Sequence, residues 1–297
     1  MTATGWTQAV RDGLEVLELA TPAATCTVAL HGAQVLGFAP RDGSEWLWVS
    51  DRALFQVGKA LRGGIPLCFP WFGPHTERRD LPAHGFARTR LWRLSRVEAV
   101  DAWRVRAEFE LVSDPETLRL YPHAFTARLA VTAGDALELA FEVVNAGDAP
   151  LAFEIAFHTY FAVSAADAVA VGGLGGSAYA DKVASGARRQ QDGAPIHFEG
   201  EVDRVDESGG PVTLADPARA RPIHIESAGA GSTIVWNPGP TNTRTMGDMS
   251  PEGFHGFVCV ETGNVGDRRV TLPPGGRHET RVRYSVGGGD AGGGGGG

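Results

Sequence analysis

The chain has 297 residues, 43% of them hydrophobic, with a formal charge of −8. That length and apolar content support a large buried core and exclude a disordered chain. The acidic balance, with no basic block, argues against nucleic acid or an anionic membrane as the main partner. The three cysteines, Cys26, Cys68 and Cys259, are widely spaced, and Cys68 and Cys259 are flanked by apolar residues. They show neither a disulfide framework nor metal-ligand spacing and read as buried free thiols.

The opening "MTATGWTQAVRDG" has no cationic stretch leading into an apolar run, so no signal peptide is expected. No later apolar run approaches the roughly 20 residues of a membrane helix, and a cytoplasmic location is expected. Short alternating segments then follow one another: "CTVALHGAQVLGFAP", "EWLWVS", "WRVRAEFELVSD" and "STIVWNPGP". Period-two alternation broken by Gly, Pro, Asp and Asn predicts strands. Between them lies "LRGGIPLCFPWFGPH", Leu61 to His75, where Pro66, Pro70 and Pro74 exclude regular pairing and predict a rigid, irregular wall. "LPAHGFARTRLW" follows after a charged gap. "FTARLAVTAGDALELAFEVVNAGDAP" predicts a hairpin turning at Gly134-Asp135. No segment carries sustained helical periodicity. The expected fold class is all-β, a large β-sandwich with few short helices. One domain over 1–285 is expected, followed by a mobile Gly-rich tail over 286–297.

Two strands carry unusual polar residues. In "FEIAFHTYF", Phe153 to Phe161, alternation puts Phe153, Ile155, Phe157, Thr159 and Phe161 on one face. Glu154, Ala156, His158 and Tyr160 share the other. A lone strand His is usually a hydrogen-bonded core residue, but Glu154 and Tyr160 make this face more than simple core. In "GFVCVETGN", Glu261 shares a face with Phe257 and Cys259. A carboxylate ending such a strand is costly to desolvate unless paired, hydrogen-bonded or at the rim. Arg62, His84 and Arg88 sit in the two rigid loops, where polar groups can be held in advance of a ligand. Asp203 in "EGEVDRVDE" is a weaker signal. "RGG" at Arg62 lacks the spacing of a phosphate-binding or dinucleotide fingerprint, and no HExxH-like pattern calls for a metal.

The blocks "LRGGIPLCFPWFGPH", "LPAHGFARTRLWRL", "FHTYF", "EVDRV", "VWNPGP" and "GFVCVETGNV" occur in this order from Leu61 to Val265. Together they resemble the aldose 1-epimerase superfamily, in particular its hexose-6-phosphate mutarotase branch. The resemblance implies a galactose-mutarotase-like β-supersandwich that needs neither metal nor organic cofactor. It implies that His158 is the general acid, that Glu261 is the general base, and that Arg62, Arg88 and Asp203 bind substrate, with His84 lining the same pocket. Ala83 departs from it, since some relatives carry a polar substrate-contacting residue just before "HGFAR". "DRVDESGG" also lacks the aromatic that often follows "DRV".

Anomer exchange opens the sugar ring. A base takes the C1 hydroxyl proton, an acid protonates the ring oxygen, and the aldehyde rotates and recloses with roles reversed. A His and a partly desolvated Glu suit proton exchange near neutral pH. His158 and Glu261 are therefore expected to face one cleft from opposite sides of a sugar ring. The expected partner is a small sugar phosphate, and the chain is expected to be a monomer or weak dimer. An unphosphorylated aldose, or sugar sensing without catalysis, are the competing readings.

Overall fold

The structure, a computed structural model, describes residues 3–287. The alternating segments form strands, because a strand with one apolar face is satisfied only by stacking that face on another layer. One eight-stranded antiparallel sheet runs, in spatial order, Ala170–Gly172, Val212–Ala215, Ile223–Ala228, Arg277–Val286, Leu137–Asn145, Phe125–Ala133, Val105–Val112 and Arg93–Ala99. The second runs Ala187–Gln190, Ala178–Asp181, Val202–Asp206, Ser232–Asn237, Phe257–Asn264, Ile155–Phe157 and Leu67–Cys68. Tyr160–Ala162 also pairs with Phe257–Asn264 in this sheet. Gly5–Arg11, Leu14–Ala20, Ala24–Ala29 and Gln34–Pro40 form a four-stranded meander, and Leu151–Phe153 pairs with Val270–Leu272. Among the described residues the α-helices are Pro115–Leu120 and Gly239–Thr243, so the fold is all-β with short helices, as expected. The hairpin turns where Gly134-Asp135 predicts it, with Ala133 opposite Leu137. Val286, expected to open the tail, instead pairs with Ile223. Residues 288–297, the rest of the expected mobile tail, lie outside the described residues.

The two large sheets face each other through aromatic side chains. Phe69 meets Phe125 and Phe141 edge-on at 5.2 and 5.4 Å, and Phe161 meets Tyr284 at 5.4 Å. Such pairs add about 0.5–1.5 kcal/mol each beyond the area they bury. One hydrophobic cluster runs through this layer from Leu17 to Tyr284. Strand Phe257–Asn264 is buried along its whole length. Val258 and Val260 enter the main cluster, while Phe257 and Cys259 pack on the other side with Tyr160 and Met249. That second side of the sheet carries the candidate site.

"FEIAFHTYF" is three short strands rather than one. Phe153, Ile155, Phe157 and Phe161 enter the main core as the alternation predicts, and Thr159 is buried against Tyr284. Ladder pairing lapses at His158 and Thr159, where the Thr159 N–H turns back to the Phe157 carbonyl at 2.9 Å. Glu154 is not on the cleft, contrary to the simple two-face reading. Its carboxylate accepts the Phe72 N–H at 2.8 Å and the Gly266 N–H at 2.5 Å, tying the proline-rich loop to the end of strand Phe257–Asn264.

Candidate active site

Register brings the two main candidates together. Phe157 lies opposite Thr262 and Tyr160 opposite Cys259, so the same alignment runs on both sides of the lapse. His158 therefore falls opposite Glu261, although 102 residues separate them in the sequence numbering of their intervening chain. Its Nδ1 lies 3.5 Å from Glu261 Oε1. The residues are 5% and 1% exposed, so Glu261 is not a carboxylate that simply reaches solvent at a strand end. His158 Nδ1 and Glu261 Oε2 are buried without a hydrogen-bond partner. The His158 ring is fixed by stacking on Tyr160 at 4.8 Å and 7°, and its backbone N–H bonds to the Pro66 carbonyl at 3.0 Å. The pair stands side by side on the cavity floor, which corrects the expectation of two groups flanking a ring from opposite sides.

His158 and Glu261 line a cavity of about 450 Å³ together with Arg62, His84, Arg88 and Asp203, so all six sequence candidates share one site. A larger cavity of about 730 Å³ lies against the four-stranded meander and contains none of them. Arg62 is held at the cavity by the adjacent Gly63-Gly64. A Cβ on Gly64, which has φ +62°, would meet the Val35 carbonyl oxygen at 2.1 Å, so only glycine permits this approach. The Arg62 guanidinium is already engaged: Nε and Nη2 donate to Asp248 at 3.1 and 3.2 Å, and Nη1 donates to the Tyr160 hydroxyl at 3.0 Å. Asp248, Arg62, Tyr160 and His158 thus form a chain of contacts ending on the imidazole.

Arg88 lies in the single turn Ala87–Thr89 and is differently placed. Its Nη2 donates to the Ala83 carbonyl at 2.8 Å, and its buried Nε has no partner. The backbone at Ala83 thus orients a cation. His84 sits at φ +65°, a strained conformation for a non-glycine residue. Its N–H donates to the Gly73 carbonyl at 2.8 Å, and the Gly73 N–H donates back to Nδ1 at 3.3 Å. With Nδ1 accepting, the ring proton belongs on Nε2. Asp203, in strand Val202–Asp206, faces Lys182 Nζ at 3.5 Å, and that ammonium rests over the Phe72 ring at 4.7 Å.

Burial dominates the titration of this site. It pushes the Glu261 carboxyl well above the usual carboxylate range and raises Asp203 despite the nearby Lys182. It pushes His158 well below its usual value, helped by His84, Arg88 and Arg62, and takes His84 down to about 3. The common cause is that removing water disfavours the charged form of each group.

The family model for aldose 1-epimerase matches residues 15–285. The chain belongs to the aldose 1-epimerase family. It is 36% identical over 84% of its length to a protein of Escherichia coli K12 named as a candidate glucose-6-phosphate 1-epimerase, covering 83% of that protein. It is 31% identical over 93% of its length to a similarly named protein of Cenchrus ciliaris, covering 85% of it. A crystal structure of a candidate mutarotase from Salmonella typhimurium superposes with a TM-score of 0.88 at 31% identity, covering 95% of this chain and 93% of that one. Galactose 1-epimerase from Lactobacillus acidophilus shares the fold alone, with a TM-score of 0.73 at 14% identity over 96% of this chain and 98% of that one.

Within this aldose 1-epimerase fold, sequence reading missed three side chains. Asp248 lies in a loop, Lys182 in a turn after strand Ala178–Asp181, and Trp236 on strand Ser232–Asn237, and all three line the cavity. "VWNPGP" did mark the Trp236 neighbourhood. Only the pairing of strand Ser232–Asn237 with Phe257–Asn264 brings that ring to 5.7 Å from His158. Lys182 was visible as one of just two lysines in the chain, but nothing in its neighbours tied it to Asp203.

Proposed function

We propose that this aldose 1-epimerase family member interconverts the α and β anomers of an aldohexose 6-phosphate, with glucose 6-phosphate the favoured substrate. The observation that carries the reading is the buried His158–Glu261 pair at 3.5 Å on the floor of a cavity that also holds Arg88. The C1 hydroxyl oxygen and the ring oxygen are bonded to the same carbon, so a side-by-side acid and base can reach both. Glu261 takes the hydroxyl proton while His158 gives one to the ring oxygen, and the C1–ring oxygen bond breaks. Burial favours a neutral Glu261 and a neutral His158, so the carboxylate–imidazolium pair that starts the cycle is held only by its 3.5 Å contact, and ring opening leaves both groups in the neutral forms. Rotation about C1–C2 presents the other aldehyde face. Closure returns the proton from Glu261 to the C1 oxygen and takes the proton on the former ring oxygen back to His158. No net proton leaves the site, and each positioned group supplies about 10²–10⁴-fold.

The cavity's charges support a phosphorylated substrate. Arg62 is neutralised by Asp248, and Lys182 is matched by Asp203. Arg88 forms no ion pair among the described residues, and an uncompensated guanidinium suits a phosphate oxygen. His84 Nε2–H and Asp203 offer a donor and an acceptor for sugar hydroxyls. Neither nucleic acid nor a membrane surface is part of this reading, and no helix among the described residues is long and apolar enough to cross a membrane. We also take residues 1–285 to be one domain, acting as a monomer or weak dimer in the cytoplasm without a cofactor. NMR measurement of anomer exchange tests the reading. Glucose 6-phosphate should exchange faster than glucose or galactose at equal enzyme concentration. Faster exchange of a neutral sugar would point to an unphosphorylated substrate, and binding without exchange to a sensor.

A further inference from the structure

Cys259 plays no part in the proposed chemistry, yet it lies beside it. It precedes Glu261 by two positions on one strand and so shares its face, and its cross-strand neighbour is Tyr160. Coordinating atoms of His158, Cys259 and Glu261 all lie within 4.8 Å of one another, and all three residues are buried. The geometry points to an inhibitory binding site for a thiophilic divalent cation, Zn²⁺ above all, formed by these three side chains.

Four observations support it. Imidazole, thiolate and carboxylate are the zinc-ligand types, and three protein ligands with one open position are a common zinc arrangement. The 3.5 Å between His158 Nδ1 and Glu261 Oε1 matches two tetrahedral zinc ligands, which at bond lengths near 2.0–2.1 Å stand roughly 3.4 Å apart. His158 Nδ1 and Glu261 Oε2 are buried with no hydrogen-bond partner, so lone pairs are free to coordinate. Charge also balances: once Cys259 gives its proton to solvent and Glu261 is ionised, two negative ligands cancel the dication, which limits the cost of burying it. His158 and Glu261 line the cavity, which leaves the fourth position to a ligand from that side. Mg²⁺ and Ca²⁺ want six or more oxygen ligands and are excluded by a set with one carboxylate.

The other cysteines lack such neighbours. Cys68 Sγ lies 3.4 Å from His84 Nδ1, but that nitrogen already accepts the Gly73 N–H. Near Cys26, Glu45 Oε1 already accepts the Phe38 and Leu47 amides. A metal on His158 and Glu261 removes both proton-transfer groups at once, so occupancy stops anomer exchange until the metal is withdrawn.

The test has two arms on the intact, chelator-treated protein. Calorimetric titration with Zn²⁺, and the thiolate-to-metal absorption band with Co²⁺, read binding without reference to activity. One metal per chain is expected, with affinity falling at least about 100-fold in Cys259→Ala, since even outer-shell losses cost 10–100-fold. Cys26→Ala and Cys68→Ala should bind as wild type does. The second arm rests on the proposed function: Zn²⁺ should inhibit exchange of glucose 6-phosphate reversibly, with Cys259→Ala active and resistant. No saturable binding, or binding unchanged in Cys259→Ala, overturns the site. Cys259-dependent binding in a protein that exchanges no sugar supports the site and overturns the function instead.

Discussion

Arg62 and Arg88 look equivalent in the sequence, each a cation in a stiff Gly/Pro loop, but their surroundings separate them. Arg88 has one protein hydrogen bond and an unpartnered Nε. Arg88→Ala should therefore raise KM for glucose 6-phosphate by roughly 10–150-fold, the equivalent of about 1.5–3 kcal/mol for a hydrogen bond to a charged group, and leave glucose and the melting temperature nearly unchanged. Arg62→Ala strands Asp248 and the Tyr160 hydroxyl, so it should cost about 1–3 kcal/mol of folding stability as well as activity on both sugars. Parallel kinetics and thermal melts of the two variants check this; identical profiles would mean that the guanidinium partners seen here do not matter. The identities of both arginines were legible from their motifs. Their division of labour was not, because it depends on Asp248, a loop residue 186 positions from Arg62.

At the scale of elements, the placement of His158 opposite Glu261 depends on two strands lying unusually close. Gly263 sits opposite Ala156, and a Cβ there would meet the Ile155 carbonyl oxygen at 2.1 Å. Gly263→Ala should force the strands apart, costing about 1–3 kcal/mol by overpacking and lowering kcat more than it raises KM. Denaturant titration and steady-state kinetics on one preparation read both effects, and a variant with wild-type stability and kcat would refute the close approach. The alternation of hydrophobic residues on each strand was legible because period two is local. Pairing was not: nothing within "FEIAFHTYF" or "GFVCVETGN" states their mutual register. Glu154 shows the limit most clearly, since it alternates with His158 in the sequence yet turns to two backbone amides once the stretch breaks into separate strands.

For the whole molecule, the all-β class followed from turn signals between short alternating segments. The arrangement of two eight-stranded sheets arises from pairings between distant segments, such as Ser232–Asn237 with Val202–Asp206, that no local pattern encodes. The burial that builds the site also makes the protein acid-sensitive. His31, His84 and His158 are all held below the ordinary histidine value of 6.5 by desolvation, His84 to about 3. Between 6.5 and those lowered values the unfolded chain binds protons that the folded chain refuses. The histidine share of stability is therefore fully present above about pH 6.5 and falls as pH drops, while Glu261 and Asp203, raised by burial, oppose it by losing stability as pH rises. The melting temperature should decline from pH 6.5 to 5, before most carboxylates titrate, and His84→Asn should flatten the slope; an unchanged slope would mean that His84 stays no more neutral folded than unfolded. The central claim is that the paired His158 and Glu261 perform anomer exchange. It is tested most directly by the NMR exchange rate of glucose 6-phosphate with wild type, His158→Ala and Glu261→Gln, each confirmed folded by circular dichroism. Each single variant should lose roughly 10²–10⁴-fold in kcat, and the double variant little more than the worse single, because the two act as one unit. Near-wild-type exchange by either folded variant would contradict the account.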